Sequence, residues 1–155
     1  MKLDDKNGFC FSPAPASAET TYGIIQVDAR VSGGGGDFSY GLYFNGGGNY
    51  RYLFRVRPNN DCNIGGDWDL NQTSNRKLSG RCDNAIYHGL GTNILRVGYS
   101  SDNKINLYIN GKLVGTCHDC PPFYVNSSTR KGMGVYIDSS DSDITIRFDD
   151  FYVWK

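Results

Sequence analysis

Between Tyr50 and Arg57 the chain alternates without a break: Tyr50, Tyr52, Phe54 and Val56 take one parity, Arg51, Leu53, Arg55 and Arg57 the other. A period of two sends successive side chains to opposite sides of an extended backbone, so this stretch reads as a strand with one side on a core. The pattern recurs. From Tyr22 to Ser32, Ile25, Val27, Ala29 and Val31 oppose Gln26, Asp28 and Arg30. Phe38, Tyr40, Leu42 and Phe44 alternate in the next segment, and Leu95, Val97 and Tyr99 further on. Asp67-Trp68-Asp69-Leu70 reads as a short strand. Lys104 to Ile109 and Lys112 to Cys117 are joined by Asn110-Gly111, a pair suited to the two positive φ values of a type I′ hairpin turn. Met133 to Asp138 and Ile144 to Trp154 complete the set. In the last segment Ile144, Ile146 and Phe148 share a parity that Phe151 and Val153 do not, which predicts a β-bulge near Asp149-Asp150.

About ten short strands, close connections and no helical period predict a single all-β domain, an antiparallel two-sheet sandwich. Composition agrees. Glu19 is the only glutamate, and 20 glycines and 11 tyrosines accompany the aspartates, as in chains built from strands and tight turns. The 155 residues suffice for one core. Sixteen basic residues balance sixteen acidic ones, which speaks against nucleic acid as a partner. No run is long and apolar enough for a membrane span, and no apolar stretch follows Lys2 as a signal peptide requires. The loops Gly33 to Gly36 and Gly46 to Gly48 lack the following helix of a phosphate cradle and read as hairpin loops.

Several segments together resemble the concanavalin A-like (laminin G-like) jelly-roll domains found in bacterial carbohydrate-binding modules and keto-disaccharide hydrolases. They are Tyr40-Gly41-Leu42-Tyr43-Phe44, Asn49 to Val56, Asn84-Ala85-Ile86 with Gly89 and Asn93 to Val97, Ile105 to Gly111, Gly132 to Tyr136, and Phe148 to Val153. The order is that of the family and covers most of the chain from about Tyr22 to Val153. The resemblance implies a concanavalin A-like jelly roll. It also implies a first strand beside the last one, which here looks missing or reduced to Lys2-Leu3.

The paired-carboxylate pattern of glycosidases on this fold is absent; Asp67 and Asp69 are the nearest alternating pair and read better as a solvated strand end. His88 and His118 have no nucleophile elbow beside them. Five cysteines in a β-rich chain suggest an oxidising compartment. Cys117-His118-Asp119-Cys120 has no second pair for zinc and reads as a turn-closing disulfide, leaving Cys62 to pair with Cys82 and Cys10 left over. Asp138, Asp141 and Asp143 form an acidic loop that reads as a solvated turn, with a structural calcium as the alternative. Asn71 and Asn126 head glycosylation sequons.

Sugars are held by aromatic faces and planar polar groups. Of the aromatic residues off the core parity or in loops, Tyr43, Trp68 and Tyr87 are the leading candidates, with Asn45, Arg51, Arg55 and Asn71 as hydrogen-bonding candidates. Arg51, Arg55 and Arg57 share one face, which also suits an acidic ligand or a protein. The expectation is a non-catalytic, extracellular or cell-surface module for carbohydrate binding or adhesion. The alternatives are a structural assembly subunit, with self-association or strand complementation at the final-strand edge, and a glycan hydrolase of the keto-disaccharide kind.

Overall fold

The computed structural model describes residues 2–3, 8–13, 23–33, 38–45, 50–57, 65–69, 82, 84–88, 91–100, 104–117, 133–139 and 144–154. They form eleven strands: β1 (Lys2–Leu3), β2 (Gly8–Pro13), β3 (Gly23–Gly33), β4 (Phe38–Asn45), β5 (Tyr50–Val56), β6 (Gly65–Asp69), β7 (Thr92–Ser100), β8 (Lys104–Ile109), β9 (Lys112–Cys117), β10 (Gly134–Ser139) and β11 (Ile144–Trp154). Every pairing is antiparallel. One sheet has six strands in the order β1-β11-β3-β7-β8-β9, and the other has five in the order β2-β10-β4-β5-β6. The all-β, two-sheet architecture read from the alternation is therefore present.

The core lies between the sheets and is made by the predicted parities. Ile25, Val27, Ala29 and Val31 of β3, Leu95, Val97 and Tyr99 of β7, and Ile105, Leu107 and Ile109 of β8 face Tyr40, Leu42, Phe44, Phe54 and Val56 of the other sheet. Burying each such large apolar side chain contributes on the order of 2 kcal/mol, which makes the sequence alternation decisive for the fold. The β8–β9 hairpin turns at Asn110 (φ 50°) and Gly111 (φ 80°) as a type I′ turn requires.

The predicted bulge is also there. The β11–β3 register is regular from Ile146 to Asp149, where Asp149 faces Asp28, and resumes with Tyr152 facing Gln26. Asp150 takes a φ of 51°, a left-handed conformation that aspartate tolerates better than most residues. The extra residue lets Ile144 and Ile146 on one parity, and Phe151 and Val153 on the other, all reach the core.

One feature departs from the sequence reading, and one expected of the first strand is present. In β4 and β10 nearly every residue is buried, Ser39, Tyr43 and Tyr136 included, so the middle of the five-stranded sheet is enclosed on both sides and lacks the wet face that alternation suggests. At the far edge, β1 is a two-residue strand that pairs only with Ile144 and Thr145 of β11. The segment around Phe9 belongs to β2, in the other sheet, and gives β11 no cover.

Candidate functional site on the five-stranded sheet

The pairing of β4, β5 and β6 places most of the sequence-derived ligand candidates in adjoining cross-strand rows. Asn45 pairs with Arg51, and Arg51 with Trp68, in one row. Two residues along, Tyr43 pairs with Leu53. Tyr136, Gly41, Arg55 and Gly65 form the next row across β10, β4, β5 and β6. Residues far apart in sequence thus share the outer face of one sheet. The side chains of Asn45, Arg51 and Trp68, and the whole of Asn71, lie outside the described residues.

Gly41 is the pivot of this face. A Cβ at that position would overlap the Phe54 carbonyl oxygen and stand 3.2 Å from the Tyr136 ring, so only glycine fits there. Tyr43 holds the outward register expected of it but is 5 % exposed. It forms part of the covered floor of the face, not the solvent-facing stacking ring the sequence suggested.

Around this floor the chemistry is cationic. The Nε atoms of Arg55 and Arg57 are both enclosed without a hydrogen-bond partner. Enclosed donors of a charged group carry a desolvation penalty, while both residues remain partly open to solvent. Burial pushes the Tyr136 phenol well above its ordinary range, while Arg55, the Ser39 hydroxyl and Arg57 act in the opposite direction. Asp138, opposite Ser39 in register, adds to the upward shift. Tyr136 therefore stays a neutral phenol at any physiological pH. The face can offer guanidinium and hydroxyl groups to an oxygen-rich ligand.

Tyr87 stands elsewhere. Its ring is 62 % exposed, while its backbone is clamped: the Tyr87 N–H donates to Asn93 Oδ1 (2.7 Å), and Asn93 Nδ2 donates to the Tyr87 carbonyl (2.9 Å). A Cβ on Gly91 would come within 2.8 Å of the Tyr87 Cβ, so the bare glycine makes room for it. Cys82, at the start of the same loop, is buried and disulfide-bonded. Cys62, the partner expected of it, and Cys120, the partner expected of Cys117, lie outside the described residues. Of the acidic loop, Asp138 is described, while Asp141 and Asp143 are not; among the described residues no group of three metal-ligating side chains gathers. Asp67 and Asp69 pair with Tyr52 and Tyr50 in register, their side chains again outside the description. No helix among the described residues is long and apolar enough to cross a membrane.

Sequence reading missed a second surface, the outer face of the six-stranded sheet at its β11 end. Tyr152 and Trp154 are 46 % and 43 % exposed and stack with centroids 5.4 Å apart. The signal lay in the bulge: once Phe151 and Val153 turn inward, their neighbours must turn outward.

No protein-family model matches the chain, and no curated protein matches it either. Solved structures do. A carbohydrate-binding module CBM66 from Bacillus subtilis superposes with a TM-score of 0.58 at 12 % identity, covering 96 % of each chain. A tetrameric galectin from the ball sponge Cinachyrella sp. gives 0.52 at 14 % identity, over 96 % of this chain and all of the other. The CBM40 of the Ruminococcus gnavus IT-sialidase gives 0.51 at 12 % identity, over 97 % of this chain and 91 % of that one. The chain thus has the jelly-roll sandwich fold of the concanavalin A-like type, a fold it shares with a carbohydrate-binding module.

Proposed function

We propose that this domain is a non-catalytic glycan-binding module of an extracellular or cell-surface protein, and that the outer face of the five-stranded sheet receives the sugar. One observation carries the reading: Arg55 and Arg57, both only partly buried, put two guanidinium groups beside the register row of Asn45, Arg51 and Trp68. A sugar hydroxyl or carboxylate accepts from the solvent-facing part of these guanidinium groups, and an indole at Trp68 supplies a stacking face. The carbohydrate-binding proteins that share the fold support the class of ligand. In this reading Cys62 is the partner of Cys82 and stiffens the approach to β6, the chain needs no cofactor, and a calcium at Asp138, Asp141 and Asp143 would be structural only.

A glycan array probed with the wild-type domain and with Arg55→Gln is the test. Binding to a defined glycan set that Arg55→Gln reduces at least tenfold, with an unchanged unfolding midpoint, is the expected result. An array without signal, or hydrolysis of a bound glycan, would overturn it.

A second reading, assembly through the final strand, is favoured by the two-residue length of β1. From Phe148 to Trp154 the side of β11 away from β3 has no paired strand among the described residues. Open main-chain donors and acceptors of this kind are completed by strand addition.

A further inference from the structure

We infer a second, separate carbohydrate surface on the opposite side of the sandwich, built on Trp154 and Tyr152 and suited to an extended neutral polysaccharide. Strand register lays out its plan. Tyr152, Gln26, Arg96 and Tyr108 occupy one row across β11, β3, β7 and β8. The next row runs from Trp154 through Ile24 and Gly98 to Asn106. Two half-exposed rings therefore stand at one end and a third aromatic three strands away, about 14 Å at ordinary strand spacing. At Gly98 an added Cβ would be 3.9 Å from the Tyr108 ring, so the bare glycine leaves a dip beside that ring.

The platform is held in place before any ligand arrives. Arg96 donates from Nε (2.9 Å) and from Nη2 (2.7 Å) to the single oxygen Gln26 Oε1, and its guanidinium carbon lies 6.0 Å from the centre of a Trp154 ring. Gln26 thus steers Arg96, and Arg96 steadies the indole, which itself stacks on Tyr152. Rings fixed on a sheet lose little freedom on binding, the condition for stacking against the CH face of a sugar. Between the rings lie Gln26 and Arg96 in one row and Ile24 and Gly98 in the other, with Asn106 beside Tyr108 at the far end; this mixed polar strip suits hydroxyls better than the dry apolar centre of a protein interface does.

Charge chooses among glycans. The one guanidinium in these rows is already engaged with Gln26 and Trp154. The adjoining row carries Asp28 opposite Asp149, with Asp150 next to it, and the field of Asp149 and Asp150 at Asp28 is strong enough to raise its pKa beyond the effect of burial alone. Beyond that row Arg147 pairs with Arg30, so the acidic field is local to the side nearer the rings; an acidic or sulfated chain lying over Asp28, Asp149 and Asp150 would meet it, whereas a neutral one would not. The surface shares no residue with the Arg55 face, and the inference stands whether or not that face binds sugar.

Titration calorimetry of the whole domain with neutral linear hexasaccharides of glucose, xylose and mannose tests the proposal. At least one should bind. Trp154→Ala and Tyr152→Ala should each weaken it tenfold or more at an unchanged unfolding midpoint, and Trp154→Phe should retain it. Tyr108→Ala should weaken the hexasaccharide that binds but not the disaccharide of the same sugar, titrated in parallel, and Arg55→Gln should change neither. Failure of every hexasaccharide to bind, binding that survives Trp154→Ala, or binding lost only in Arg55→Gln would overturn it. So would a concentration-dependent dimer, seen by sedimentation, that Trp154→Ala dissolves.

Discussion

Asn110 Nδ2 donates a 2.9 Å hydrogen bond to Asn93 Oδ1, and this contact ties the tip of the β8–β9 hairpin to the start of β7. Around it every polar atom of both side chains is used. Asn93, almost fully buried, donates to the Tyr40 hydroxyl (3.1 Å) and the Tyr87 carbonyl while accepting from the Tyr87 N–H and Asn110. Asn110 also donates to the Ala85 carbonyl (2.8 Å), and its Oδ1 accepts from the Ile94 N–H (2.8 Å). Asn110→Gly keeps the positive φ but removes the whole side-chain share of this network. A loss of about 1–3 kcal/mol in urea unfolding is expected, the range for leaving buried polar groups unsatisfied. A change within about 0.5 kcal/mol, ordinary for a surface site, would mean the turn geometry alone matters.

Asn93→Leu strands more groups, since the Tyr87 backbone and the Tyr40 hydroxyl lose their partner together. Tyr40 is held well away from water, and burial pushes its phenol up to about 12 despite the opposing bond from Asn93. The variant should unfold more readily than Asn110→Gly, and amide exchange at Tyr87 should quicken. Unchanged exchange there would separate the loop from this network.

Phe54 is fully buried at the centre of the inter-sheet core. Phe54→Ala should cost about 3–5 kcal/mol, as large core truncations do. Equilibrium denaturation measures it, and a loss under about 0.5 kcal/mol would place the residue at the surface.

Asp28 tests the electrostatics of the bulge. Its pKa is raised first by desolvation and then by Asp150 and Asp149. A carboxyl whose folded pKa exceeds its unfolded one binds more protons in the native state, so its charge disfavours folding above the folded pKa, and that penalty vanishes once pH falls below the unfolded value. Asp28→Asn should therefore raise the unfolding midpoint at neutral pH, with the advantage shrinking as pH falls through the carboxylate range. An advantage equal at neutral and acid pH would assign the effect to packing.

The β11 edge makes the last prediction. Amides of Phe148 to Trp154 that point away from β3 should exchange with solvent quickly in a dilute sample, and slow down at high protein concentration or when an N-terminal extension is added. Strong protection in dilute monomer would end the assembly reading.

Local periodicity determined a great deal of this protein by itself. Alternation selects strand over helix because a pleated backbone must send neighbouring side chains to opposite sides. Asn110-Gly111 selects its turn because few residues accept two positive φ values. The parity fault at Asp149-Asp150 announces a bulge because Phe151 and Val153 cannot otherwise reach the core that Ile146 occupies. What alternation cannot tell is what lies over each face. Tyr43 and Tyr87 are equally aromatic and equally off the core pattern. Only the folded chain shows the first to be covered, and only the clamp from Asn93 presents the second. The long-range partners of Asn110 and Asn93, the meeting of Arg96 with Trp154, and the enclosure of Arg55 and Arg57 all depend on which strands become neighbours. That is settled by the packing of the two sheets, because cross-strand register brings together residues that no local pattern connects.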